Sequence, residues 1–341
     1  MIKILFICPG GQTNLNSPSE ILARYIHENY DDIDITMYNQ RFNLAPNTAD
    51  GYDLVWGDMD GNNVPNLSKT LSQKSNVPCY IHGEWIPPYR WEDGWSDYFN
   101  EPTQLQHKGR YQANLDSMEE ADLVSLAIKS TPGGFDFIKE RTGVSFKNSF
   151  VRYPACKKYD YINVERKNQI ATIARANDGK KRVNDTMEAI HLSNTKPLFK
   201  IIGGSSIKYK DVTVESMGSF NEDRKIKIFS ESKLSVQHWS GIPPAEAIQQ
   251  FCPVISYDIP YMRELYGESL IWVEKDNIRE LSKTIDYWMT HDEEREEFAK
   301  KAFNLFINNK LGVKLEEYRA KLVVENIKKF LSIRTKNIIK L

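Results

Sequence analysis

Cysteine is scarce in this chain and nowhere paired by spacing. Cys8, Cys79, Cys156 and Cys252 lie far apart, mostly inside apolar runs. That pattern argues against a disulfide framework or a zinc motif and marks them as buried thiols. Net charge is missing too. The 45 basic residues against 46 acidic ones leave −1, so no global field draws the chain to nucleic acid. No stretch approaches the roughly 18 apolar residues that cross a bilayer. The apolar start from Met1 to Pro9 runs into Gly10-Gly11 too soon for a secretory signal and reads as a first strand. A cytoplasmic protein is expected. There is no G-x-G-x-x-G, which disfavours a nicotinamide-type site. Gly10 and Gly11 remain either a small cradle for phosphate or sugar or a plain turn. Asp58-Met59-Asp60 has the spacing of a metal-holding carboxylate pair, with no second acidic cluster at ligand spacing near it. A polar loop at a strand end is the better reading, and no metal site is expected.

What the chain does have is rhythm. Its 341 residues suggest two domains of about 150 residues each. Apolar runs of strand length alternate with helical patterns, the signature of βαβ units and of an α/β fold. Strands are expected at 2–8, 34–38, 54–56, 79–82, 123–126 and 149–153. In the second half they fall at 170–174, 198–202, 212–215, 234–236 and 254–256. The aromatic, irregular stretch 85–106 is long enough for a binding loop or lid. The polar, basic stretch 154–166 reads as a linker. The boundaries that follow are residues 1–155 and 156–319, with a last helix over about 320–341.

Three groups of residues carry chemistry. In His238-Trp239-Ser240-Gly241-Ile242-Pro243-Pro244-Ala245-Glu246 an apolar strand meets a Gly and Pro turn, and a helix opens with a carboxylate in its first turn. Gly241 and Ile242 offer backbone N–H groups to an anion, and Glu246 can accept from hydroxyls such as those of a ribose. A well-capped helix with no ligand is the equal alternative for the segment alone. Arg175, with Lys180 and Lys181 after it, suits a diphosphate, the guanidinium as a fork and the ammonium as a point charge. His82 ends a strand, where open α/β sheets bind ligands, with Glu84 close in sequence.

The 238–246 segment is similar to the Glu-x7-Glu region of retaining GT-B glycosyltransferases of family 4, with Gly241, Pro243, Pro244 and Glu246 on the pattern and His238 in place of the first Glu. Arg175 to Lys181 resembles the family's Gly-Arg-Leu-x-x-x-Lys loop, with Ala174 in place of the Gly. The resemblance implies two Rossmann-like domains with a cleft between them, the first on the acceptor side and the second binding a nucleotide-sugar donor such as a UDP- or GDP-sugar. It implies sugar transfer with retention, without metal or other cofactor. His82 and His238 would bracket the transferred sugar, Glu246 would hold the ribose, and Arg175 with Lys180 or Lys181 would neutralise the diphosphate. The acceptor is open among glycan, lipid, protein and modified nucleobase. Rival readings are a sugar-nucleotide epimerase, a hydrolase, or a silent binding module. The last helix, basic on one face, would pack back on the first domain and leave peripheral membrane contact open.

Overall fold

A computed structural model of the chain describes residues 1–8, 18–39, 44–45, 47–58, 64–83, 115–127, 129–130, 134–146, 148–174, 181–204, 207–218, 221–238, 241–308, 312 and 314–338. These divide into two compact units, Met1–Ala155 with Leu315–Leu341, and Cys156–Lys314. Both are α/β, each built on a six-stranded sheet with helices against it.

In the first unit the strands are β1 (Ile2–Cys8), β2 (Ile33–Asn39), β3 (Leu54–Asp58), β4 (Cys79–Gly83), β5 (Leu123–Leu126) and β6 (Ser149–Val151), in the order β2-β1-β3-β4-β5-β6 and all parallel. Ile4 to Ile7 are buried without a break, because a parallel sheet is covered on both faces. The two-residue period sorts them. Ile4, Phe6, Trp56 and Tyr80 pack in one cluster with helix α1 (Pro18–Asn29). Leu5, Ile7 and Val55 pack in another with Val64 and Leu71 of helix α2 (Val64–Ser75). A third helix, α3, spans Phe135–Thr142.

The last helix of the first unit, Glu316–Ile338, supplies Ala320, Val323, Val324 and Ile327 to the first cluster. Their i, i+3, i+4, i+7 spacing is one helical stripe. Phe330 and Leu331 pack against the same cluster, and Lys328 pairs with Asp32 at 2.5 Å. The apolar face that a membrane-lying helix would need is therefore committed to the core.

The second unit contains β8 (Lys167–Ile173), β9 (Leu198–Ile202), β10 (Val214–Met217), β11 (Ser232–Val236), β12 (Val254–Tyr257) and β13 (Ile271–Val273), parallel and ordered β10-β9-β8-β11-β12-β13. Strand β13 is not among the sequence expectations. Its three residues, Ile271-Trp272-Val273, are too few to show a period, and it forms as the edge partner of β12. Val212 is also corrected, since it sits in an isolated bridge with Tyr209 before β10 begins. The helices are α4 (Val183–Leu192), α5 (Glu222–Glu231), α6 (Pro243–Gln249), α7 (Pro260–Tyr266), α8 (Ile278–Thr290) and α9 (Asp292–Asn308), and the Glu316–Ile338 helix becomes α10. In the expected linker, Ala155–Cys156 form a short strand β7 that pairs with β14 (Lys314–Leu315).

The strand order of the second unit reverses between β8 and β11, which are neighbours in register from Leu234 opposite Ile170. Crevices in doubly wound sheets open at the carboxyl ends of such a pair. Here the segments leaving those ends start at Ala174 and at Gln237.

Candidate functional site at the switch point of the second sheet

His238 stands two residues beyond β11 and is 2 % exposed. Its Nδ1 accepts the backbone N–H of Tyr257 at 3.1 Å, and the Tyr257 ring stacks on it with centroids 3.9 Å apart. A neutral ring that accepts at Nδ1 carries its proton on Nε2, and Nε2 lies 3.5 Å from Oγ1 of Thr186. Burial, with the nearby Arg182 charge, lowers the His238 pKa to about 3. The acceptor is spent on Tyr257, and the Nε2 hydrogen faces Thr186.

Around His238 lies a charged group that sequence reasoning missed. Arg182, in the left-handed region at φ 50°, caps α4, donates to Asp185 at 2.7 Å and also pairs with Asp276. Its guanidinium lies 5.9 Å from the centroid of Tyr257, whose hydroxyl donates to Asp185 at 2.9 Å. The run Lys180-Lys181-Arg182 carries the signal, but spacing alone drew attention to its lysines. Lys181 is placed next to Arg182, half-buried, in the turn that opens α4.

Helix α6 begins with Pro243 and Pro244 at its first two positions. Neither has an N–H, and those of Ala245 and Glu246 both turn to the carbonyl of Ile242. The donors left at this helix start are the N–H groups of Gly241 and Ile242, the two that the sequence singles out. Those two meet no acceptor among the described residues. Tyr266, fully buried, donates its hydroxyl to the Gly241 carbonyl and so anchors this turn.

Glu246 is 5 % exposed. Its Oε1 takes the Lys225 ammonium at 2.7 Å and lies 3.5 Å from the Tyr159 hydroxyl. Lys225 reaches on to Glu222 at 2.9 Å, and Tyr159 donates to Glu222 at 2.6 Å. Burial pushes the Glu246 carboxyl above its usual range, against the pull of Lys225. Burial depresses the Lys225 ammonium, but Glu246 and Glu222 outweigh it, so its pKa is raised. Further along α6, the Gln249 amide bridges Lys157 O and Tyr159 N, and the Gln250 amide bridges Asp160 O and Ile162 N. Helix α6 thus holds the segment 157–162 by two paired amides.

His82 belongs to the first unit and is fully buried near the end of β4. A guanidinium nitrogen of Arg319, on α10, lies 3.3 Å from its Nε2, and the Tyr80 hydroxyl lies 3.3 Å from its Nδ1. An arginine only donates, so Nε2 accepts and Nδ1 holds the proton. Tyr80 also meets Ser125 at 2.7 Å. Asp58 ends β3 opposite His82 in register and is fully buried, so it belongs to the strand and not to a loop. Gly10, Gly11, Glu84, Arg175 and Lys180, with Asp60 and the 85–106 stretch, lie outside the described residues.

Residues 160–305 match the family model described as Glycosyl transferases group 1. The match lies within the second unit, which is similar to that family over most of its length. Among solved structures, HepE from Anabaena, in complex with UDP and glucose, is similar with a TM-score of 0.72 at 12% identity, over 96% of this chain and 100% of that one. Sucrose-phosphate synthase from Thermosynechococcus elongatus gives 0.67 at 12%, over 98% and 100%. TarM of S. aureus, in complex with fondaparinux, alpha-GlcNAc-glycerol and UDP, gives 0.60 at 16%, over 92% of this chain and 58% of that one. Among curated proteins no sequence matches. At these identities the structural likeness speaks for the GT-B fold, which agrees with the two sheets described above.

Proposed function

We propose that this chain moves a sugar from a nucleotide donor, UDP- or GDP-linked, to an acceptor, with retention at the anomeric carbon and without a metal. One observation carries the reading. Strands β8 and β11 lie side by side at the switch point, and the segment leaving β11 carries the Gly241 and Ile242 N–H groups, without an acceptor among the described residues, followed by Glu246, while in sequence the Arg175 to Lys181 run follows β8. The structures of HepE with UDP and with UDP-glucose support it at the level of a shared fold.

In this reading Arg175 with Lys180 or Lys181 balances the charge that grows on the leaving diphosphate, the largest electrostatic task of the reaction. Gly241 and Ile242 add two backbone donors. Glu246 accepts from the ribose. His238 is a ring without negative charge where relatives of the Glu-x7-Glu type carry a carboxylate. His82 takes a place beside the transferred sugar in the resemblance, with Arg319 and Tyr80 holding its ring.

The test is turnover. The purified chain is incubated with a panel of UDP- and GDP-sugars, and released nucleotide diphosphate and the anomeric configuration of the product are read by NMR. Release of nucleotide with an α-linked product from an α-linked donor is expected. A β-linked product contradicts retention, and an epimerised donor with no transfer contradicts the transferase reading.

A further inference from the structure

Among the described residues of the second unit, the pair Lys225 and Glu246 brings a buried ammonium against a candidate ligand carboxylate. Both residues are at most 5 % exposed. They come from different helices, α5 and α6, with 21 positions between them in sequence. The two oxygens of Glu246 are treated unequally. Oε1 receives Lys225 at 2.7 Å and has Tyr159 at 3.5 Å, whereas Oε2 has no hydrogen-bond partner among the described residues.

Helix α5 shows how Lys225 arrives there. Its buried residues are Lys225, Ile226, Phe229 and Ser230, so the lysine occupies a position on the apolar stripe of an amphipathic helix. A lysine rarely stays buried unless paired. Its two partners are Glu246 and Glu222.

We propose that Lys225 is the positioning residue of the nucleotide site: by fixing Oε1 of Glu246 it leaves Oε2 as the single acceptor for a ligand hydroxyl. This rests on the nucleotide-sugar reading above. The physical argument has two parts. An ammonium at 2.7 Å stabilises the carboxylate, which alone accepts without donating. A contact from one side also selects one rotamer, so the free oxygen is presented in one place and less ordering is left for the ligand to supply. Other groups facing Glu246 are Glu222 of α5, Tyr159, and Tyr266 of α7, with Lys157 near Glu222. Of these, Lys225 is the cation in contact with Glu246.

If Lys225 is replaced by methionine, of similar length and no charge, the burial that raises the Glu246 carboxyl acts unopposed. Glu246 then takes up a proton at higher pH, and its protonated form becomes a donor where the ligand needs an acceptor. A residue that merely fills space would leave no such pH signature.

The experiment measures UDP affinity by calorimetry from pH 5.5 to 8.5 for wild type, Lys225→Met, Lys225→Arg, Glu246→Gln and Lys225→Met with Glu246→Gln. The quantity read is the ratio of Kd in Lys225→Met to Kd in wild type, which cancels the ionisation of the nucleotide's own phosphate. That ratio is expected to grow on acidification by about tenfold per pH unit below the raised carboxyl pKa. Lys225→Arg should keep it flat, and so should the double variant measured against Glu246→Gln. A ratio that does not change with pH in Lys225→Met overturns the positioning role while leaving the nucleotide site intact. If Lys225→Met does not fold, Lys225→Gln is read in the same way. Failure of wild type to bind UDP or GDP at any pH overturns the nucleotide reading and this inference with it.

Discussion

The backbone N–H of Tyr257 donates to Nδ1 of His238 across 3.1 Å, joining the end of β12 to the turn after β11. This bond fixes the tautomer and keeps the ring neutral, since protonating Nδ1 would break it in a buried place. The pKa is lowered from 6.5 to about 3, by burial first and by Arg182 second. The folded ring therefore resists a proton that the unfolded chain accepts. Between those two values the unfolded state holds the extra proton, so stability rises with pH and is lost as pH falls below 6.5, by about 1.4 kcal/mol per pH unit. Urea unfolding of wild type and of His238→Asn, which keeps an acceptor and removes the titration, should show a shallower slope between pH 6.5 and 5 in the variant. Equal slopes would show that His238 is not held neutral.

Truncating the same ring has two effects. His238→Ala leaves the Tyr257 N–H without its acceptor and opens a cavity, together costing roughly 2–4 kcal/mol of stability. In the transfer reaction it should slow turnover and leave UDP affinity nearly unchanged, because the proposed function assigns the nucleotide to Glu246 and the basic loop. Turnover and UDP titration on the folded variant decide this, and a wild-type rate would show that position 238 does not touch the reacting sugar.

Arg175→Ala should weaken transfer and nucleotide binding together. Losing one charge-assisted contact to phosphate costs about 1.5–3 kcal/mol, or roughly ten- to a hundredfold in Kd. Unchanged affinity for both UDP and GDP in the folded variant would remove Arg175 from the site.

Asp286 offers a test of the scaffold apart from ligand. From α8 it accepts the Ser193 hydroxyl at 2.7 Å, the Thr195 hydroxyl at 2.9 Å, and the backbone N–H groups of Asn194 and Thr195 at about 3.0 Å, which closes the end of α4. Burial raises its pKa, yet these donors outweigh burial and the net direction is down from 3.8. Its contribution is present above that value and is lost as pH falls through the lowered pKa. Asp286→Ala should destabilise the chain by about 1–3 kcal/mol at pH 7, read by denaturant melt. An unaltered midpoint would mean the cap is not needed.

Much of the fold was legible because it rests on local periods. The uninterrupted apolar run at Ile4 to Ile7 is what a doubly covered parallel strand requires, and the Gly-Ile-Pro-Pro turn marks a helix start from φ preference alone. The site was legible only in its types. That Pro243 and Pro244 remove donors follows from their chemistry, but that Ala245 and Glu246 spend theirs on Ile242 needs the turn itself. The partners Tyr257 and Lys225 reach His238 and Glu246 from other elements, 19 and 21 positions away. Lys225 left one sequence trace, a charge four residues before Phe229 on an apolar stripe. Nothing at the sequence level connects that stripe to Glu246.

Chelation bears on the reaction class. If Arg175 and the neighbouring lysines balance the diphosphate, as proposed, turnover should persist in EDTA. Complete loss that manganese restores would instead favour a metal-dependent transferase.

Calorimetric titration of UDP into wild type and Glu246→Gln bears most directly on whether this switch point binds a nucleotide. Gln keeps the shape and loses the charge. Wild type should bind, and the variant should bind about tenfold or more weakly, the loss of one charge-assisted hydrogen bond to a hydroxyl. Equal affinity in the two folded proteins, or no binding of UDP or GDP by wild type, would contradict the nucleotide site at Glu246.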